Sequence, residues 1–280
     1  MRTLKNWRGA AIAAFVACAG FASHAAPADD PDNWRPTDPE NLILFKTTKG
    51  DVLIELTPDF APQHAAQLRA IVRAGHYDGT EFHRVIEGFM AQGGDVFAMN
   101  GEGTGLDDIP GEFTFRRAPA ETPVDFLGDP ADSNFGFING FPVKTQSDFL
   151  ADMTADGKVE TWGLHCPGVT SMARTSDPNS ANSQFFLVTD TADWLDKQYT
   201  AWGRMLSGLE VARSMNKGEP PRSPDILTSA QMVADMPADD QPKAWVMRTD
   251  GPEFSARLAE AAASETSICD MAPADAVVEF

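Results

Sequence analysis

The spacing of apolar residues predicts that short strands dominate the chain. Residues 42–48 and 52–56 are strand-like segments, mostly apolar, joined by the turn Lys49-Gly50-Asp51, a pattern typical of a β-hairpin. Residues 62–74 instead carry apolar side chains at positions 65, 68, 71 and 72, the spacing of one helix face. Pro62 near the start and Gly75 just past the end predict the limits of this helix.

Further short segments complete a mainly β pattern. Strands are predicted at residues 81–86, 89–92, 169–173, 184–189, 200–206 and 225–233, and a second helix is predicted at residues 209–216. Many short strands with only two clear helices favour a closed antiparallel barrel whose ends the helices cover.

Three stretches depart from this pattern. Residues 26–40 are rich in proline and aspartate and are predicted to be a flexible leader. Residues 116–163 mix proline, glycine and aspartate with scattered phenylalanine, so we interpret them as a long insertion on the barrel, with at most one short helix at residues 144–152. Residues 237–280 form a C-terminal extension, in which residues 253–263 are predicted to be helical.

The first 25 residues have the parts of a secretory signal peptide. Three basic residues precede an apolar run over residues 9–22, and small residues precede a cleavage site after Ala25. This pattern predicts a periplasmic or secreted protein. An alternative is a lipoprotein signal with Cys18 lipidated, for which phenylalanine at position 15 is a poor match. The apolar run is too short to span a bilayer and no other run reaches about 18 apolar residues, so we expect no membrane span.

The charge balance narrows the classes of partner. The chain has 22 Lys and Arg against 41 Asp and Glu, and removal of three positive charges with the signal peptide takes the formal charge from −19 to −22. Such acidity disfavours nucleic acids and anionic membrane surfaces, which bind basic patches. The four histidines of the mature chain show no ligand spacing, and the glycine-rich residues 101–105 lack nucleotide-binding spacing. We therefore expect no metal or other cofactor.

Two cysteines remain after cleavage, Cys166 and Cys269. Because exported proteins meet an oxidising environment, we hypothesise a disulfide between them that ties the C-terminal extension to the barrel. Two free or intermolecular thiols are the alternative. A thiol nucleophile at Cys166 beside His165 is disfavoured, since catalytic partners are rarely neighbours in sequence.

Three longer motifs carry a more specific signal. Residues 82–95 read FHRVIEGFMAQGGD, residues 171–186 read SMARTSDPNSANSQFF, and residues 194–204 read WLDKQYTAWGR. In order and spacing they resemble the signature segments of the cyclophilins, the cyclosporin-binding family of peptidyl-prolyl cis-trans isomerases. The resemblance extends over residues 41–115 and 164–236. It implies a cyclophilin-like domain at residues 41–236, with a closed eight-stranded antiparallel barrel capped by two helices.

The resemblance also implies roles for individual residues. For catalysis the matching positions are Arg84, Phe89 and Gln92. For substrate binding they are Met90, Ala173, Arg174, Gln184, Phe186, Trp194, Leu195 and Tyr199. Tyr199 stands where the best-known eukaryotic members have histidine, which implies reduced affinity for cyclosporin-like ligands.

These residues suit a reaction in which no bond is made. Rotation about an X–Pro bond meets a barrier of about 18–20 kcal/mol because amide resonance is lost. A catalyst for this rotation therefore needs an apolar pocket that binds the proline ring and a hydrogen-bond donor such as Arg84. We therefore expect a monomeric isomerase that acts on proline-containing segments of exported proteins. The alternatives are a non-catalytic chaperone or assembly module that binds such segments, and a structural extracellular protein. Arg84 favours the enzyme, because binding alone would not require it.

Overall fold

The computed structural model describes residues 26–272 and 275–280. The predicted signal peptide, including Cys18, lies outside these residues. Within them, no helix combines the length and the apolar character that crossing a membrane requires.

Strands make up most of the regular structure. In chain order they are β1 (Trp34–Pro36), β2 (Leu42–Thr47), β3 (Gly50–Leu56), β4 (Thr80–Glu81), β5 (Arg84–Ile86), β6 (Met90–Gly93), β7 (Phe115–Arg117), β8 (Asp125–Phe126), β9 (Phe135–Ile138), β10 (Phe141–Thr145), β11 (Val159–Gly163), β12 (Val169–Met172), β13 (Phe185–Val188), β14 (Ala201–Ser207), β15 (Ile226–Met232), β16 (Lys243–Met247) and β17 (Ala276–Glu279).

Helices are fewer and mostly short. The α-helices are α1 (Pro62–Arg73), α2 (Val96–Asn100), α3 (Leu209–Ser214), α4 (Pro252–Ala263) and α5 (Ile268–Met271). Short 3-10 helices lie at Pro27–Asp29, Pro39–Asn41, Asp148–Met153, Asp193–Leu195, Val233–Asp235 and Ala238–Asp240.

Nine strands form one antiparallel sheet in the order β4-β15-β2-β3-β14-β12-β13-β6-β5. The predicted hairpin is β2–β3, in which Leu42 lies opposite Glu55. The sheet curls around an aromatic core where Phe185 meets Tyr77 and Phe82 edge to face, with ring centroids 5.3 and 6.1 Å apart. The two helices predicted from apolar spacing, α1 and α3, pack their apolar residues against this core.

The prediction of a closed eight-stranded barrel is wrong: the sheet is an open, curled half-barrel of nine strands. Both of its edges, β4 and β5, lie in the described chain, and they do not pair with each other. Val85 of β5 instead exchanges two backbone hydrogen bonds with Gly218, at 2.8 and 2.9 Å. The loop around Gly218 thus occupies the outer edge of β5, so the gap between the edge strands β4 and β5 is not closed by strand pairing.

The insertion forms a second sheet, where the sequence predicted at most one short helix. Its antiparallel strands run in the order β7-β11-β10-β9-β8. Asn139 and Gly140 join β9 to β10 with positive φ angles of 52° and 82°. These angles are those of a type I′ hairpin turn, for which Asn-Gly is a preferred pair. The hairpin was therefore predictable from this dipeptide.

The leader and the C-terminal extension form a third sheet in the order β1-β16-β17. Trp34 lies opposite Met247, so part of the leader that was predicted to be flexible over residues 26–40 forms a strand at Trp34–Pro36. The physical reason is that the Trp34 side chain packs against a large apolar cluster. Burial of this ring offsets the conformational entropy lost on ordering the leader.

That apolar cluster joins all three sheets. It contains Phe137 and Phe141 from the insertion, Phe254 from α4, and Met90 and Phe186 from the half-barrel. Phe254 meets Phe137 edge to face, with centroids 5.1 Å apart. In the described part of the chain, the insertion and the extension therefore bury their apolar side chains in clusters that they share with the half-barrel.

A disulfide joins Cys166 to Cys269, which are 103 residues apart in sequence. Cys166 is fully buried just before β12, and Cys269 lies in α5. The bond links the extension to the half-barrel, as the sequence-based hypothesis proposed.

A buried carboxylate connects the leader, the half-barrel and the insertion. Glu55 of β3 accepts hydrogen bonds from Arg204 of β14 and Arg35 of β1, with a closest N–O distance of 2.8 Å to each. Both arginines also donate to the carbonyl of Asn139. Burial acts to raise the pKa of Glu55, but the charges and hydrogen bonds of the two arginines outweigh it and hold this pKa below its ordinary value.

Loss of the Glu55 carboxylate should destabilise the fold. Glu55→Ala leaves the buried Arg204 guanidinium without its partner charge, which should lower the free energy of unfolding by about 3–5 kcal/mol. Chemical denaturation measures this loss. Glu210→Ala is the control, because Glu210 forms an exposed ion pair with Arg213 and should cost at most about 1 kcal/mol.

The acid response of the same variant gives a second readout. Because the folded pKa of Glu55 is lowered, its stabilisation is present above the ordinary glutamate pKa of about 4.3 and is lost as pH falls through the lower folded value. The free energy of unfolding, measured as the pH is lowered from neutral, should show this loss of stabilisation in the wild type and not in Glu55→Ala. An equal acid response in both proteins would contradict the role assigned to Glu55.

The disulfide should stabilise the chain through the large loop that it closes. In the chain-entropy model a loop of this size contributes about 4.7 kcal/mol, so Cys269→Ser should lower the denaturation midpoint markedly. Thiol titration of the denatured, unreduced mature chain, which lacks Cys18, should find no free thiol. Two titratable thiols per chain would show that the bond is not formed.

Candidate active site

Three neighbouring strands place side chains of different chemistry in one row. Arg84 of β5 lies opposite Gln92 of β6, and Gln92 lies opposite Phe186 of β13. Residues directly opposite each other on antiparallel strands project from the same face of the sheet. The sheet therefore presents a cation, an amide and an aromatic ring side by side.

These three side chains line a cavity of about 230 Å³. Its other lining residues are Phe89, Met90, Ala173, Arg174, Leu195 and Tyr199. Met90, Phe186 and Leu195 are the most buried, at 1%, 5% and 8% exposure, and they make the interior of the cavity apolar. The structure thus brings nine of the eleven predicted substrate and catalytic residues together around one cavity.

Gln184, the tenth predicted residue, lies beside this cavity and orients the side chain of Gln92, which lines it. Gln92 Nε2 donates to Gln184 Oε1 at 2.9 Å, and Gln184 Nε2 donates to Asp95 Oδ2, also at 2.9 Å. Asp95 is the N-cap of α2 and accepts from the backbone N–H of Ala98. Gln184 and Asp95 line an adjoining cavity of about 430 Å³. The amide of Gln92 is therefore held by a chain of side chains that ends at a helix cap.

Trp194, the eleventh predicted residue, lies at the rim of the cavity and does not line its interior. It is 56% exposed, and its ring centroid is 5.4 Å from that of Phe89. It packs against one wall from outside, which leaves most of the indole accessible to a bound molecule.

Arg174 forms part of the cavity wall, and each of its three guanidinium nitrogens already donates one hydrogen bond. Its Nε and Nη2 donate to the Gln198 carbonyl at 3.0 and 2.9 Å, and its Nη1 donates to the Thr175 carbonyl at 2.8 Å. The guanidinium lies over the Tyr199 ring, 4.4 Å from the centroid. Tyr199 in turn meets Phe186 edge to face. Arg174 therefore supports the aromatic wall.

Arg84 differs because part of its guanidinium remains available. Its Nε donates to Glu219 Oε2 at 2.6 Å. No acceptor in the described chain bonds its Nη1 or Nη2, and the side chain is 38% exposed. Since arginine stays protonated in proteins, Arg84 provides a permanent cationic donor at the mouth of an apolar cavity.

A buried network supports the aromatic wall from behind. The His165 ring stacks on Phe186 with centroids 6.3 Å apart, and its Nδ1 and Nε2 lie 2.9 Å from Asp196 Oδ1 and 3.0 Å from Ser171 Oγ. The combination of Ser, His and Asp has no hydrolytic role here, because Ser171 is fully buried and donates to the Thr200 carbonyl. The network instead fixes the position of Phe186.

The site as a whole suits recognition of a small apolar ring attached to a polar backbone. Among the residues described, no group of three or more His, Cys, Asp or Glu side chains is placed to hold a metal ion. The site offers an apolar cavity with one cationic donor at its edge.

Comparison with known proteins identifies the family. The family model described as cyclophilin type peptidyl-prolyl cis-trans isomerase/CLD matches residues 42–233. The chain belongs to the cyclophilin-type peptidyl-prolyl cis-trans isomerases. A probable peptidyl-prolyl cis-trans isomerase of Brucella suis biovar 1 (strain 1330) is 34% identical over 238 residues, which cover 80% of this chain and 95% of the relative. This cyclophilin is accordingly a peptidyl-prolyl cis-trans isomerase.

A solved structure extends the likeness beyond the family model. The crystal structure of cyclophilin AquaCyp293 from Hirschia baltica matches with a TM-score of 0.86 and 50% identity, over 90% of this chain and 95% of that one. Because this coverage exceeds residues 42–233, the match between the two cyclophilins extends into the leader or the extension.

Sequence reasoning missed three residues that organise the cyclophilin site: Asp95, His165 and Glu219. Asp95 was predictable, because an aspartate directly before an apolar helix turn is an N-cap signal. Glu219 carried no local signal, because it lies 135 residues from Arg84 in sequence and reaches it only through the contact that Gly218 makes with β5.

Proposed function

We propose that this cyclophilin is a bacterial periplasmic enzyme that accelerates X–Pro rotation in exported polypeptides. The observation that carries the isomerase chemistry is the placement of Arg84 beside the apolar cavity. Two features support the exported context: the signal-peptide pattern over residues 1–25 and the disulfide between Cys166 and Cys269.

The cavity acts on the proline ring. Met90, Phe186 and Leu195 offer buried apolar surface, and a pyrrolidine ring placed there leaves its X–Pro amide near the mouth of the cavity. Held by its ring, the proline stays fixed while the preceding carbonyl group rotates. This arrangement confines the motion to the bond whose barrier must be lowered.

Arg84 acts on the rotating amide. In the twisted state the amide nitrogen recovers a lone pair that resonance had delocalised, so it becomes a hydrogen-bond acceptor. A guanidinium N–H directed at this nitrogen bonds the twisted state more strongly than the planar ones, which is the condition for a lower barrier. The apolar surroundings strengthen this hydrogen bond relative to one in water.

The adjoining cavity gives room for residues that flank the proline. It shares Gln92, Ala173 and Arg174 with the proline cavity, so one extended segment passes through both. Asp95 and Glu102 lie on its lining. We expect it to accept polar or basic side chains more readily than acidic ones.

Arg84→Ala should remove most of the acceleration and keep binding. Loss of a donor that acts mainly on the transition state costs about 10²–10³ in kcat, whereas the apolar cavity stays intact. A proline-isomerisation assay on an Ala-Pro peptide measures turnover, and calorimetry with the same peptide measures affinity, which should change by less than about threefold.

Arg248→Ala is the matched control for that variant. Arg248 is also an exposed, ion-paired arginine, at 41% side-chain exposure against 38% for Arg84, and it lies beside β16. The control should leave turnover unchanged. A wild type that binds the peptide without accelerating its rotation would contradict the proposal and favour a proline-binding module.

Export predicts a defined mature N-terminus. When the full chain is expressed in a Gram-negative bacterium, the protein should occur in the periplasmic fraction and begin at Ala26. Cys18→Ala should give the same fraction and the same N-terminus. Retention of the wild type in the membrane fraction, with release by Cys18→Ala, would show the lipoprotein alternative instead.

A further inference from the structure

The catalytic arginine is tethered by a carboxylate from a distant loop. Arg84 Nε donates to Glu219 Oε2 at 2.6 Å, and the two side chains are 38% and 55% exposed. Exposed ion pairs contribute little to the stability of a fold. A role in holding the fold therefore does not account for this contact at the edge of the catalytic cavity.

The backbone places Glu219 at this position rigidly. The preceding residue, Gly218, exchanges two hydrogen bonds with Val85, the residue that follows Arg84. Gly218 has a φ of +150°, and a Cβ atom there would lie 2.6 Å from Pro221 Cα, so the close approach requires glycine. Pro220 and Pro221 then restrict φ at the next two positions.

The hydrogen bond to Glu219 determines which N–H groups of Arg84 face the substrate. A guanidinium has five N–H groups in one plane, and a hydrogen bond from Nε to a carboxylate whose backbone position is defined restrains the rotation of that plane. It leaves the Nη1 and Nη2 groups for the cavity. Without the tether, a half-exposed arginine samples several rotamers, and only a fraction of them direct an N–H at the amide nitrogen.

We propose that Glu219 is a positioning residue for catalysis, whose carboxylate orients the Arg84 guanidinium toward the rotating X–Pro bond. This inference rests on the proposed isomerase function. Glu219 does not line the cavity, so it acts on the twisted state through Arg84 and not through the substrate.

Substitution of Glu219 should therefore affect kcat and leave KM nearly unchanged. We expect Glu219→Ala to lower kcat about tenfold, with KM within about twofold, because the apolar cavity still binds the ring. Glu219→Gln keeps a hydrogen-bond acceptor without the charge, and it should recover part of the loss. Glu210→Ala, which removes another exposed carboxylate paired with an arginine, is the control and should leave kcat unchanged.

A double-mutant cycle separates positioning from a general effect. If Glu219 acts only through Arg84, then Glu219→Ala should cause no further loss in an Arg84→Ala background. A spectroscopic readout is independent of activity: the Arg84 Nε–H signal in a ¹⁵N-resolved NMR spectrum, assigned by its absence from Arg84→Lys, should exchange slowly in the wild type and rapidly in Glu219→Ala.

The outcomes distinguish this inference from the isomerase function. An active wild type with Glu219→Ala equally active or faster would overturn the positioning role alone, as would an undiminished effect of Glu219→Ala in the Arg84→Ala background. An inactive wild type would overturn the isomerase function and the catalytic role of Glu219 with it. An unchanged thermal midpoint in Glu219→Ala ensures that the kinetic loss is not a loss of folded protein.

Discussion

The buried carboxylate of Glu55 is the interaction on which the assembly of the chain depends. It lies between Arg204 of the half-barrel and Arg35 of the leader, and both arginines bond the Asn139 carbonyl at the tip of the insertion hairpin. Desolvation makes the buried charges of Glu55 and Arg204 costly alone, so each of them stabilises the fold only when its partner is present. Gly140 fits this arrangement because a Cβ atom there would lie 2.7 Å from Arg204 Nη1.

The same assembly supports the walls of the candidate active site. Met90 and Phe186 form the cavity on one side and belong, on the other, to the apolar cluster that includes Phe137 of the insertion and Phe254 of the extension. The disulfide at Cys166 joins this cluster to the extension. The two smaller sheets therefore pack behind the cavity that Arg84 borders and support its walls.

Local patterns predicted the parts of the molecule that local physics determines. Helix α1 and the first hairpin follow from apolar spacing and turn residues, whereas the cavity residues were implied by the resemblance of three long motifs to the cyclophilins. The gap between the edge strands β4 and β5 stays open because Gly218 contacts Val85. The leader is ordered because Trp34 pairs with β16, a strand far from it in sequence. Such contacts leave no periodic signal in either partner. The insertion hairpin is different, because its Asn-Gly turn was a usable signal.

The central claim is that an apolar cavity and one oriented cationic donor suffice to speed X–Pro rotation. Exchange NMR on an Ala-Pro peptide with a small fraction of wild-type protein tests it most directly, because unassisted interconversion takes tens to hundreds of seconds. The claim predicts exchange peaks between the cis and trans proline signals at mixing times below about one second, in chelator-treated protein as in untreated protein. Absence of these peaks at a concentration where the peptide demonstrably binds would contradict it.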